Sequence, residues 1–106
     1  MNCFYIPCPD LQVAKNIAST LLTEKLIACA NILSSGESLY WWQGKIETSK
    51  EVFLILKTDL SLVDRSRLKQ RLQELHPYET ACLLELSISS VNSEYEKWIQ
   101  SSLKES

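Results

Sequence analysis

The stretch Glu37–Thr58, ESLYWWQGKIETSKEVFLILKT, reads as one long β-hairpin. Leu39, Tyr40, Trp41 and Trp42 form an aromatic-rich run that suits a pleated, half-buried surface. Gln43-Gly44 follows, with a glycine where a tight turn needs a positive φ. Val52 to Leu56 then runs apolar without alternation, the pattern of a strand covered on both faces. Fully extended, Lys45 to Thr58 spans about 45 Å at roughly 3.3 Å per residue. A compact chain of this length is only about 33 Å across, from a radius of gyration near 13 Å. The hairpin therefore overshoots its own domain. Either a bulge bends it, or its tip and the two tryptophans are buried in another subunit, and the second is the expectation carried forward.

The 106 residues make one domain with one core, residues 1–106. Eleven basic and thirteen acidic residues leave a net charge of −2, against a partner recognised through a phosphate backbone, so no nucleic acid is expected. No apolar run reaches membrane-span length and no signal-peptide pattern opens the chain, so no membrane is expected and the cytoplasm is the expected location. Cys3, Cys8, Cys29 and Cys82 are then reduced thiols, and without a CxxC pair they do not form a zinc ribbon. His76 is the one histidine.

Before the hairpin, Asn2–Cys8 is a short strand with Phe4, Ile6 and Cys8 on one face and Pro7 near its end. Asp10 caps a helix carrying Ala14, Ile17, Ala18, Leu21 and Leu22 at helical spacing and ending near Glu24-Lys25. Leu26–Leu33 is a second strand, and Ser34-Ser35-Gly36 interrupts it as a bulge or bend. After the hairpin, Ser61 to Asp64 resembles a capping box opening a helix with Leu68, Leu72 and Leu75 inward, which ends at or near His76 because Pro77 follows. Arg65, Arg67, Lys69 and Arg71 lie on its solvated side. Cys82 to Ile88 alternates as a strand, with Cys82, Leu84, Leu86 and Ile88 on one face. Ser93 and Glu96 make a second capping box ahead of a helix striped by Tyr95, Trp98, Ile99 and Leu103. The order β-α-β-β-α-β-α corresponds to an α+β, ferredoxin-like split βαβ sandwich, with an antiparallel sheet, the first and third strands central, helices on one face and one added terminal helix.

Three places carry chemistry. Cys29 is either a small buried strand residue or a soft metal ligand and reactive thiol. In His76-Pro77-Tyr78-Glu79 the imidazole is either a helix C-terminal cation or a transition-metal ligand on a rigid turn. Cys82, at a strand entrance, looks like core. Cys29 with His76 could in principle form a thiol nucleophile and its base, but nothing supplies an oxyanion hole, and no hydrolase or phosphate-cradle motif is present. No enzyme activity is expected.

The first helix and second strand IASTLLTEKLIACANI, the arm SLYWWQGKIETSKEVFLILKT, the turn LHPYET and the terminal YEKWI, in this order, resemble the CutA family of divalent-cation tolerance proteins over nearly the whole chain. The resemblance implies a homotrimer whose hairpin arms, through Tyr40, Trp41 and Trp42, pair across subunits. It also implies an architectural likeness to PII-type signalling trimers and binding of copper or another divalent transition metal at subunit clefts, with no metal needed for folding. The family's site residues carry over to Cys29 and His76. The family's Pro-Glu pair after the HPY turn is Ala81-Cys82 here, so a thiolate stands near the usual carboxylate, and Glu79 is the nearest remaining acid. Cys29, His76 and Cys82 are therefore the candidate ligands, a set favouring Cu(I) or Zn. The alternative is a PII-like adaptor whose clefts bind a small metabolite and whose surface binds a protein partner.

Overall fold

The computed structural model describes residues 1–104. The expected domain, 1–106, includes residues 105 and 106, which lie outside those described. The elements are β1 (Asn2–Cys8), α1 (Leu11–Thr23), β2 (Cys29–Trp42), β3 (Lys45–Thr58), α2 (Arg65–Leu75), β4 (Leu84–Ser87) and α3 (Ser93–Lys104). The strands form one antiparallel sheet in the order β2-β3-β1-β4, so β1 and β3 are central, as the split βαβ reading requires. Phe4, Ile6 and Cys8 of β1 and Val52, Leu54 and Leu56 of β3 are buried in one core with Ile17 and Leu21 of α1 and Leu68 and Leu72 of α2.

Helix α1 begins where the Asp10 carboxylate accepts the Val13 N–H at 2.8 Å. It ends in a Schellman arrangement, with Leu26 N–H donating to Leu21 O and Lys25 N–H to Leu22 O. Lys25 takes the left-handed position, φ 60°, usually given to glycine. That cap consumes Leu26 and delays the second strand, which starts at Cys29 rather than Leu26.

Helix α2 also begins later than its sequence predicts. Ser61 does not cap it, because the Asp59 carboxylate engages both the Ser61 N–H and hydroxyl; Asp64 is the cap, accepting from Ser66 N–H. The last strand is shorter than Cys82–Ile88. Continuing the β1–β4 register from Tyr5↔Leu84 would set Cys82 opposite Pro7. Pro7 has no N–H to donate, and its carbonyl is taken by His76. Leu84 and Leu86 stand opposite Tyr5 and Cys3, on the face away from α1 and α2, and stay nearly half exposed. Glu85 takes the helix side and joins Arg65 and Lys69.

The hairpin carries the two irregularities its sequence implies. Gln43 and Gly44 both have positive φ, 50° and 78°, as a two-residue type I′ turn demands. The register slips by one between Leu33↔Phe53 and Gly36↔Glu51, with Ser35 at φ 66°. The molecule measures 46 × 27 × 22 Å, with a radius of gyration of 14.6 Å. Leu39, Trp41, Trp42 and Ile46 on the arm are 59–73% exposed. Helix α3 docks where β1 begins and β3 ends, burying Ile99 and joining Gln100 to Asp59 and Tyr95 to Lys57. No helix among the described residues is long and apolar enough to cross a membrane.

Candidate functional site

His76 closes α2, its N–H still bonded to Leu72 O, and Pro77 prevents another turn. The ring is buried, and both of its nitrogens are engaged. Nδ1 accepts the Tyr78 N–H at 3.2 Å, which leaves the proton on Nε2 to be donated to Pro7 O at 2.9 Å. The Tyr78 ring packs on it at 4.8 Å. The imidazole thus staples the turn to β1, and a metal could take a ring nitrogen only by displacing one of these bonds.

Cys29 opens β2 at the opposite end of the sheet, level with Lys57, which is in turn level with Cys3. The two thiols sit two strand spacings apart, roughly 9.6 Å between Cα atoms, too far for a disulfide. Burial pushes the Cys3 thiol up while the Lys57 ammonium pulls it down. Lys57 is held charged, first by its hydrogen bond to the Tyr95 hydroxyl at 3.2 Å, and its ammonium lies 5.2 Å from the Tyr95 ring centroid.

Cys82 is exposed and borders an open groove of about 1070 Å³, walled by the arm on one side and the turn after His76 on the other. His76 and Cys82 therefore belong to one end of the sheet. Cys29 does not join them within a chain: from Cys3 to Pro7 along β1 is about 13 Å. The same separation denies Cys29 and His76 a nucleophile–base contact inside one chain. No group of three or more His, Cys, Asp or Glu side chains among the described residues is arranged to hold a metal.

The groove also contains a residue that pattern reading passed over. Glu51 is only 9% exposed and lines the groove with Tyr40, Trp42, Glu47, Tyr78 and Glu79. Burial raises the Tyr78 phenol, and the neighbouring Glu51 carboxylate raises it further. The signal available in the sequence was an acid placed directly against the apolar run Val52–Leu56.

Residues 2–102 match the profile of the CutA1 divalent ion tolerance protein family. A divalent-cation tolerance protein CutA from Pyrococcus horikoshii is 45% identical over 95 residues, 90% of each chain. A variant of CutA1 from the same organism superposes with a TM-score of 0.90 at 42% identity, covering 99% of this chain and all of the other. The solved CutA of Archaeoglobus fulgidus, described as a periplasmic divalent cation tolerance protein, gives 0.88 at 34% identity, covering 97% of this chain and 98% of its own.

Proposed function

This chain belongs to the CutA1 divalent ion tolerance family, and from that premise we propose that it acts as a homotrimer that binds a soft transition metal, copper foremost, in the clefts between subunits. The observation that carries this is the arm. Trp41 is 73% and Leu39 67% exposed on a ladder that continues to the hairpin turn, and Leu33, Leu84 and Leu86 leave the sheet face opposite α1 and α2 about half exposed. Apolar surface of that extent on a small domain calls for a partner of matching shape. A second and third copy of the chain supply it, through Tyr40, Trp41 and Trp42.

In the assembly, Cys29 of one subunit meets the His76–Cys82 end of the next. Two thiolates and an imidazole favour Cu(I) or Zn over harder ions. His76 joins once its ring lets go of Pro7. The metal is cargo or signal, not a folding requirement, and the role is tolerance or sensing, not catalysis. All four cysteines are free, and two are buried, which fits the reducing cytoplasm.

Light scattering at micromolar concentration is expected to return three times the 12.1 kDa of one chain. A mass of one chain would overturn the assembly. Calorimetry with Cu(I), Cu(II) and Zn is expected to show binding by the wild type that weakens in His76→Ala and in Cys82→Ser. Equal affinity in all three would remove the site. A second reading, a PII-like adaptor whose clefts hold a small molecule, is favoured by one observation, the acidic, ring-lined groove around Glu51.

A further inference from the structure

We propose that the hydrogen bond from the Tyr78 hydroxyl to the Glu51 carboxylate is a latch that sets the direction of the arm, and through it the closure of the assembly. This rests on the homotrimer of the reading above and is independent of any metal. The pairing of β1 with β3 ends at Cys8↔Val52, so Glu51 is the first residue of β3 without a neighbour on that side. On its other side it pairs with Gly36, where the β2 ladder resumes after the bulge. The stretch 36–51 is therefore a ribbon of two strands leaving the sheet at a single root.

Such a ribbon twists more strongly than a wide sheet and is marginal by itself, so its course is decided where it leaves the sheet. There Glu51 is only 9% exposed, whereas residues 45–48 and 50 are exposed. No ion pair among the described residues engages the Glu51 carboxylate, and no buried side-chain oxygen or nitrogen among them lacks a hydrogen-bond partner. The group bonded to it is the Tyr78 hydroxyl.

Tyr78 is itself held. Its N–H donates to His76 Nδ1 at 3.2 Å, its ring packs on the imidazole at 4.8 Å, and the imidazole donates to Pro7 O at 2.9 Å. Pro7 is paired in turn with Phe53, on the same strand as Glu51. The phenol is thus a fixed post, and at Glu51 it supplies the neighbour that β1 no longer gives. A charged acceptor makes the bond stronger than one between neutral groups. Removing the phenol strands a buried carboxylate, which costs more than the bond contributes, whereas a glutamine in place of Glu51 still offers a neutral acceptor.

The test compares the full-length wild type with Tyr78→Phe, Glu51→Gln and the double variant. Light scattering along a dilution series reads dissociation of the assembly, and amide exchange reads the arm. Tyr78→Phe keeps the ring on His76 and is expected to raise the dissociation constant about tenfold or more. Exchange is expected to quicken at residues 38–42 and 45–50 and to stay unchanged at Ile6 and Leu54 in the core. Glu51→Gln is expected to do less harm, and, added to Tyr78→Phe, to restore part of the assembly because no charge is then stranded. Undiminished assembly in folded Tyr78→Phe overturns the latch, as does exchange that quickens evenly through core and arm, the mark of a bond that only supports the fold. Should Tyr78→Phe fail to fold, Glu51→Gln decides by the same two readouts. A wild type with the mass of one chain removes the trimer and the latch together, whereas a wild-type trimer whose variants assemble equally well removes the latch alone.

Discussion

His76 and Pro7, sixty-nine residues apart in sequence, are joined by a 2.9 Å hydrogen bond between the imidazole Nε2 and the proline carbonyl. The bond fixes the end of α2 to the strand at the centre of the sheet and stops β4 from lengthening toward Cys82. His76→Ala leaves the buried carbonyl and the Tyr78 N–H without their partner, so a loss of about 1–3 kcal/mol is expected in urea unfolding. A metal that ligates His76 must first break one of these bonds. Because the nitrogen released from Pro7 is Nε2, amide exchange at Tyr78 is expected to stay unchanged on copper addition; faster exchange would place the metal on Nδ1 instead.

Gly36 lies under the Phe53 ring. A methyl group there would overlap the Phe53 ring, meeting three of its carbons at under 3 Å. The ring is held in turn by Tyr5, 5.8 Å away between centroids. Gly36→Ala is expected to cost about 1–3 kcal/mol through overpacking. Adding Phe53→Leu should recover part of that loss, so a double-mutant cycle in urea is expected to show coupling.

Asp59 is a buried carboxylate that accepts from the Ser61 hydroxyl at 2.6 Å, the Ser61 N–H at 2.9 Å and Gln100 Nε2 at 3.0 Å. These bonds, the Ser61 hydroxyl first, hold its pKa below the usual carboxylate value against the opposing effect of burial. A depressed folded-state pKa stabilises the fold fully above the unfolded value, about pH 4, and the contribution is lost as pH falls through the folded value. Glu24 beside Arg71 and Glu85 beside Arg65 shift in the same direction from more exposed positions. Urea midpoints are expected to drop below about pH 4, and Asp59→Asn is expected to be less stable at pH 7 with a shallower acid limb.

The four thiols should separate by reactivity. Cys8 is fully buried, donates to Ile6 O, and is pushed up to about 11, by burial first and then by the Glu51 and Asp10 carboxylates. Cys82 is exposed. Iodoacetamide at pH 8 is expected to label Cys82 first and Cys8 last, read by peptide mass spectrometry. Because the Cys8 pKa is raised in the fold, its contribution to stability is present below the unfolded thiol value of about 8.5 and is lost as pH climbs toward the folded value of about 11. Cys8→Ala should flatten that alkaline decline.

The periodicity of α1, the unbroken run Val52–Leu56 and the Gln43-Gly44 turn made the sheet order readable in advance, because each is a local pattern with a tertiary meaning. The element boundaries that moved did so through long-range or side-chain bonds. Asp59 engaging Ser61 displaced the start of α2, His76 bonding to Pro7 shortened β4, and the Lys25 cap delayed β2. At the candidate site, His76 and Cys82 lie toward one end of the sheet, which their six-residue separation allows without fixing how near they stand. The distance of Cys29 from both depends on which end of β2 lies beside which end of β1, and spacing along the chain does not carry that. Glu51 was obscure for a related reason: Tyr78, which stands beside it, comes from a turn distant in sequence.

The bulge after Leu33 and the two-residue turn at Gln43-Gly44 also constrain how this protein can vary. Loss of one residue at Ser34 or Ser35 would straighten the ladder and leave Trp42↔Lys45 and every pair beyond Gly36 as they are. Loss of one residue between Gly36 and Trp42 would set the two features against each other: either the aromatic side chains turn over to the opposite face, or the tight turn is abandoned. Among lineages of such chains, length changes on the outgoing strand of the arm should therefore collect at that single pair of serines.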